Sequence, residues 1–149
     1  MSNIAVLPNR KEPCTGDLHD VESIKSALTR YMIQVVGKDP VYSHSRDWFY
    51  AMAYYVRGLL SDRYIHTAST QQSLNIKRVY YLSMEYLPGR SMRKNLLDLG
   101  ILDEATQALA DFGVNIADVE EAEFDAAIGN GGLGRLAACL LDSIATQGY

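Results

Sequence analysis

The stretch from Ala127 to Ala145, AIGNGGLGRLAACLLDSIA, places glycines at 129, 131 and 134 in the spacing Gly-x-Gly-x-x-Gly. In dinucleotide-binding proteins this spacing lets the backbone approach a pyrophosphate at the start of a helix. That fingerprint requires a strand directly before the glycines, whereas an acid-rich segment that predicts a helix precedes them here. A nicotinamide- or flavin-binding oxidoreductase is an alternative, but the strand that its fingerprint requires is not predicted. Saturable NAD binding would reveal such a protein.

The same glycines can bind an anion without a dinucleotide fold. Gly131, Gly132 and Gly134 can adopt positive φ, and without Cβ atoms they let an anion come close to the backbone. A helix beginning near Leu133 would point its free N–H groups and the positive end of its dipole at that anion. A turn that merely lets the helix pack closely would need the same residues, and the loop alone leaves both interpretations open.

Amphipathic helices are expected to position this loop. Apolar residues recur every three or four positions from Val21, with Asp20 as a cap and Gly37 as a stop. A second helix, Ser45 to Ile65, has an apolar surface wide enough to be buried on more than one side. Further helices are predicted at Met92–Leu99, Asp103–Phe112 and Leu133–Ile144, and an acid-rich helix with one solvated face at 117–125.

A single strand is predicted, Val79 to Tyr86, with the sequence VYYLSMEY. It is apolar on both alternating faces as far as Met84, which is typical of a strand covered on both sides in a parallel sheet. Such a strand needs neighbours, and the rest of the sequence provides none. We therefore expect an incomplete sheet, in a chain that looks cut in the middle of a fold.

Composition excludes several classes of protein. The chain has 149 residues, 48% of them hydrophobic, and a formal charge of −4, which suits one globular domain without a basic surface for nucleic acid. No segment resembles a signal peptide or a membrane span, so a cytoplasmic location is expected. Cys14 and Cys139 are expected to be free thiols. The three histidines, at 19, 44 and 66, are scattered, so no metal site is predicted.

Two blocks of sequence resemble signatures of the α-glucan phosphorylases, the family of glycogen, starch and maltodextrin phosphorylases. They are RVYYLSMEYLPGRSMRKNL, Arg78 to Leu96, and GNGGLGRLAACLLDSIATQG, Gly129 to Gly148. The helix Ser45 to Ile65 also resembles the helix that precedes the first block in that family. The resemblance therefore covers nearly everything after the leader.

The resemblance implies an α/β architecture of two doubly wound halves, a glycosyltransferase B-type fold, with the active site between them. Residues 1–20 would be a leader or tail, and residues 21–149 an incomplete N-terminal phosphorylase domain, without the C-terminal cofactor domain. The family converts α-1,4-glucan and inorganic phosphate to glucose 1-phosphate. Its pyridoxal phosphate is attached to a lysine that this chain does not contain, and full-length members are typically homodimers. The loop Gly37–Ser43 resembles an element of that dimer contact.

The resemblance also assigns site residues. Asn130, Gly131, Gly132 and Leu133 match the family's glycine-rich loop, where the backbone N–H of Gly132 would bind phosphate and Leu133 would lie near the reacting glucose. Glu85 and Arg90 match a pattern that lines the same cleft, although a buried structural ion pair between them is equally compatible with the sequence. No catalytic residue is assigned to this chain.

Departures from the animal members accompany the resemblance. Leu87 stands where animal glycogen phosphorylases have a tyrosine, and Gln72 where they have the tyrosine that stacks on AMP. The leader lacks their phosphorylated serine segment, and its Thr15 lies outside that pattern. The sequence therefore resembles bacterial or plant members more closely, without phosphorylation or AMP control.

Two interpretations remain for the chain by itself. It is either a part of a full-length phosphorylase, or a truncated, non-catalytic fragment or module that pairs with another subunit. In both cases we expect that the isolated chain does not turn over glucan.

Overall fold

The computed structural model describes residues 20–148. Over this range the protein is mainly helical, with one sheet of two short strands. Its helices are α1 (Val21–Tyr31), α2 (Ser45–Ser73), α3 (Met92–Leu99), α4 (Leu102–Asp111), α5 (Ile116–Glu121) and α6 (Gly132–Thr146). The strands are β1 (Tyr86–Gly89) and β2 (Ala126–Ile128). The predicted leader, together with Cys14, Thr15 and His19, lies almost entirely outside the described residues.

The start of α1, and the end of the helical path that continues beyond it, are those that the sequence predicts. The Asp20 carboxylate accepts hydrogen bonds from the N–H groups of Glu22 and Ser23, at 3.3 and 3.0 Å, and so caps the first turn. The helical path continues through a wider π turn, Met32–Val36, and ends at Gly37, whose φ of 77° is left-handed. A left-handed glycine after the last turn is a common helix terminator.

Helix α2 is longer than the sequence predicts. It runs for 29 residues and ends at Ser73, whereas the predicted helix ends at Ile65. The helix continues because residues 66–73 contain no glycine or proline, and their alanine and glutamines are good helix formers. Polarity therefore marked an exposed helical surface here rather than the end of the helix.

The core lies between α1, α2, α3, α4 and α5. Trp48 of α2 is 2% exposed, and its ring lies 4.8 Å from that of Phe112, which follows α4. Around this pair are the buried side chains of Ile24, Leu28, Met32, Met52, Val56, Leu96, Ile101, Leu109 and Val119. The core therefore comes from helices adjacent in sequence, and it includes no residue of β1, β2 or α6.

An ion pair with a buried carboxylate joins the turn after α1 to the start of α2. Asp47 is 8% exposed, and its carboxylate accepts from the Lys38 ammonium at 2.8 Å and from the His44 N–H at 3.0 Å. Burial alone would raise the pKa of Asp47, but these contacts outweigh burial and hold that pKa below its ordinary value. The ionised carboxylate therefore stabilises the fold.

The substitution Asp47→Asn is expected to lower the free energy of unfolding at pH 7 by about 1–3 kcal/mol. Because the folded pKa is lowered, the wild-type contribution is present above about pH 4, the ordinary value of aspartate, and disappears as the pH falls below it. Urea unfolding at pH 7 and at pH 3 measures both effects. The difference between variant and wild type should shrink at pH 3, and Asp103→Asn, at an exposed position in the first turn of α4, should have a much smaller effect.

The predicted strand Val79 to Tyr86 does not form. Val79, Leu82 and Met84 are 96%, 92% and 91% exposed, and regular pairing begins only at Tyr86. A strand that is apolar on both faces needs neighbouring strands to pair with and other elements that cover both faces. Residues 20–148 do not supply them.

The strands β1 and β2 form an antiparallel pair, not the parallel sheet that we expected. Tyr86 lies opposite Ile128 and Gly89 opposite Ala126, with an irregularity between these two positions. Pro88 lies within β1 and has no N–H to donate, which limits the ladder. Helix α6 packs on β1, and its buried residues are the small Gly134, Ala137 and Ala138.

Candidate functional site

The glycine-rich loop connects β2 to α6. Ala126–Ile128 form the strand, residues 129–131 form the turn, and α6 begins at Gly132. The expectation that an acidic helix directly precedes the glycines was wrong, since that helix, α5, ends at Glu121. The strand pairs antiparallel with β1, so the arrangement still differs from the parallel βαβ unit of dinucleotide-binding proteins.

The backbone of the loop needs a left-handed glycine at one position. Gly129 has a φ of 95°, which side chains strongly disfavour. Gly131 is extended, with φ −130° and ψ −175°, and Gly132 and Gly134 belong to α6. The expectation of positive φ at 131, 132 and 134 was therefore wrong, because the chain reverses at Gly129 and is already in the helix three residues later.

Close packing explains two of the glycines. A Cβ at Gly129 would lie 2.5 Å from Cγ of Glu85, and a Cβ at Gly134 would lie 2.8 Å from Cγ of Leu87. A Cβ at Gly132, by contrast, would meet nothing within 4 Å. The two interpretations of the loop thus apply to different residues: Gly129 and Gly134 permit packing, whereas Gly132 lies on an open surface.

Glu85 caps the start of α6 from another part of the chain. Its Oε2 accepts a hydrogen bond from the Gly134 N–H at 3.2 Å. The residue at the usual capping position is Gly131, which has no side chain that can accept. The N–H groups of Gly132 and Leu133, the first two of the helix, have no acceptor within the helix itself and remain suited to an anion.

The four residues assigned to the loop lie together at this helix start. Asn130 is exposed, Gly131 is half-buried, Gly132 is exposed, and the Leu133 side chain is 55% exposed. The arrangement thus presents free backbone donors beside an amide and an apolar side chain. Such a surface can contact a small anion together with a polar molecule that has an apolar face.

Arg90 follows β1, whereas Glu85 precedes it, and they do not form the ion pair that we considered. Arg90 instead pairs with Glu121 at 3.1 Å and with Asp125 at 3.7 Å. Arg90 and Asp125 line an open depression of about 650 Å³. Arg90 is thus turned toward the acidic segment rather than toward the carboxylate of Glu85.

The acid-rich segment is not the solvated helix face that we expected. The Glu123 carboxylate accepts from the N–H groups of Ser91 and Met92, at 2.8 and 3.1 Å, and so caps α3. Glu120 pairs with Arg93 at 2.9 Å. These acids hold residues 90–93 in place, a role that a run of like charges in the sequence does not reveal.

Three of the four described lysines do not fit the attachment of an aldehyde cofactor, which requires a lysine that readily loses its proton. Hydrogen bonds with Glu22 and Asp111 raise the pKa of Lys25, and hydrogen bonds with Asp98 and Asp142 raise that of Lys94. Lys38 is paired with Asp47. We therefore derive no chemical step through pyridoxal phosphate from these residues.

Other binding chemistry is limited in the described part of the chain. Among residues 20–148, no group of three or more His, Cys, Asp or Glu side chains has the geometry to hold a metal ion. Cys139 is an exposed free thiol on α6. No helix in this range combines the length and apolar character needed to cross a membrane.

The chain is similar in sequence to known carbohydrate phosphorylases. Residues 109–149 match the family model described as Carbohydrate phosphorylase. The chain is 46% identical over 126 residues to glycogen phosphorylase of Pasteurella multocida, covering 85% of this chain and 15% of that protein. It is 46% identical over 127 residues to glycogen phosphorylase of Chlamydia trachomatis, again with 85% of this chain and 16% of that protein aligned. Identity to the human brain form is 40% over 131 residues, which are 88% of this chain and 16% of that protein.

These matches define the class of this protein, the carbohydrate phosphorylases. Within that class the chain belongs to the α-glucan phosphorylase family, as its two signature blocks predict. It spans about 15–16% of the length of the curated relatives that it matches.

Proposed function

We propose that this chain supplies the glycine-rich phosphate- and sugar-binding loop of an α-glucan phosphorylase, a cytoplasmic enzyme. That enzyme would cleave α-1,4-glucan with inorganic phosphate and release glucose 1-phosphate. The observation that carries the proposal is the open start of α6, where Gly132 and Leu133 offer N–H groups beside the exposed Asn130 side chain. In this role fixed backbone donors stabilise negative charge on the phosphate, without any reorganisation during the reaction.

The rest of the catalytic machinery is assigned to other parts of the full-length protein. We propose the two-domain, glycosyltransferase B-type architecture for that protein, with residues 21–149 as an incomplete N-terminal domain after a leader, residues 1–20. A lysine outside this chain would hold pyridoxal phosphate, whose phosphate group supplies acid and base chemistry when bound. Asn130, Gly131, Gly132 and Leu133 would orient phosphate and sugar, with Glu85 and Arg90 near the same cleft. The isolated chain is accordingly expected to be inactive, and the full-length enzyme a homodimer.

The role of the backbone donors can be tested by removing one of them. The substitution Gly132→Pro deletes the N–H of Gly132, and proline is well tolerated as the first residue of a helix. The preceding Gly131 is extended, which is the conformation that a following proline requires. We expect the variant to lose at least about tenfold in affinity for inorganic phosphate, since a hydrogen bond to a charged group is removed.

The matched control is Gly132→Ala, which keeps the N–H and adds a methyl group into open space. It should bind inorganic phosphate as the wild type does. The measurement is a phosphate titration followed by the ¹⁵N amide signals of residues 132–134. The proposed role of the Gly132 donor is wrong if the proline variant binds as tightly as the alanine variant.

A further inference from the structure

The Glu85 side chain lies over the loop that the proposed function assigns to phosphate. Its Oε2 is 3.2 Å from the Gly134 nitrogen and would be 3.5 Å from a Cβ placed at Gly131. A carboxylate oxygen is therefore already at the helix start where an anion would bind.

The sheet register brings Glu85 to this position. Because Tyr86 lies opposite Ile128, Glu85, which precedes β1, meets Gly129, which follows β2. The absent side chain of Gly129 leaves room for the Glu85 stem, whose Cβ, Cγ and Cδ would all lie within 2.8 Å of a Cβ at that position. The carboxylate is thus held against the loop by backbone geometry.

No cation in the described part of the chain neutralises this carboxylate. Arg90 pairs with Glu121 and Asp125, and the Arg135 guanidinium donates to the carbonyl oxygens of Leu87 and Pro88, at 3.4 and 3.3 Å. The charge on Glu85 is therefore balanced mainly by the Gly134 N–H and by the helix dipole that would also attract a phosphate.

We infer that the Glu85 carboxylate is a built-in competitor of phosphate at the start of α6 and must move away when phosphate binds. This inference rests on the proposed function and adds a regulating residue to it. Two anions a few ångströms apart at one helix end repel each other, and both depend on the same helix dipole. The affinity of the loop for phosphate is therefore set by the cost of displacing Glu85 as well as by the donors themselves.

The substitution Glu85→Gln tests the competition, because it keeps the size of the side chain and removes its charge. We expect inorganic phosphate to bind the variant about fivefold more tightly than the wild type, which corresponds to one unit charge about 4 Å away in a water-like environment. The difference should shrink as salt is added. The readout is again the titration of the amide signals of residues 132–134.

The matched control is Glu123→Gln, which neutralises a carboxylate that caps a different helix, α3. It should leave phosphate binding unchanged. If the wild type binds phosphate and Glu85→Gln binds equally or more weakly, the inference is overturned and the proposed function stands. If neither the wild type nor the variants bind phosphate at the loop, both are overturned.

A measurement on the wild type covers the case in which Glu85→Gln does not fold, as judged by circular dichroism. The ¹³C carboxyl signal of Glu85 should move during the phosphate titration with the same midpoint as the Gly132 amide. A Glu85 signal that stays unchanged while the Gly132 amide saturates would contradict displacement.

Discussion

Replacing Gly129 by alanine is expected to lower the free energy of unfolding by about 3 kcal/mol. Two effects add at this position. The φ of 95° strains any residue with a side chain, and a Cβ would lie 2.5 Å from Cγ of Glu85. The obstructing atoms belong to the stem of Glu85 rather than to its mobile end, so relief requires that the whole side chain leave the loop. Urea unfolding followed by circular dichroism measures the loss.

The control for this prediction is Gly132→Ala, three residues along the same loop. There the backbone is helical and the space is open, so the change should be less than about 1 kcal/mol, in the stabilising direction. Equal stability of Gly129→Ala and the wild type would mean that Glu85 does not pack against the loop as described.

The second large effect is expected in the helical core. The substitution Trp48→Ala should lower the free energy of unfolding by about 3–5 kcal/mol, because it removes a large side chain that is 2% exposed and packs on Phe112. A loss of this size is a large part of the stability of an ordinary domain. Circular dichroism against urea is the appropriate measurement, since the chain has one tryptophan and the variant lacks it.

The control is Ile33→Ala, at a position that is 56% exposed beside the buried Met32. It should change the free energy of unfolding by no more than about 0.5 kcal/mol. Similar losses in the two variants would show that Trp48 is not at the centre of a packed core.

The helices were largely predictable because their signals are local. The cap at Asp20, the stop at Gly37 and the apolar spacing around Trp48 each act within a few residues. The strand at 79–86 was not predictable in the same way, since its pairing depends on neighbours distant in sequence or outside residues 20–148. The same pattern of apolar residues can form a buried strand or an exposed segment, depending on whether neighbouring strands are present to pair with it.

The start of a helix at the glycine loop was predictable, but the geometry of the loop was not. The glycine spacing and the family signatures indicated residues 129–134, and the structure places them at the start of a helix as expected. The contact of Glu85 with the Gly134 N–H joins residues 49 positions apart through the antiparallel register, and no periodicity in the sequence indicates it. Similarly, acidic residues within 120–125 form ion pairs with Arg90 and Arg93, which a count of charges does not reveal.

The packing of β1, β2 and α6 outside the helical core has a consequence for local unfolding. This part of the molecule buries mostly small residues, whereas the core buries tryptophan, leucine, isoleucine and methionine. Apolar burial sets much of the free energy needed to open a region, so the amides of α6 should exchange with solvent through openings that leave α1–α5 intact. The glycine loop therefore belongs to the part of the chain that can rearrange without unfolding the rest.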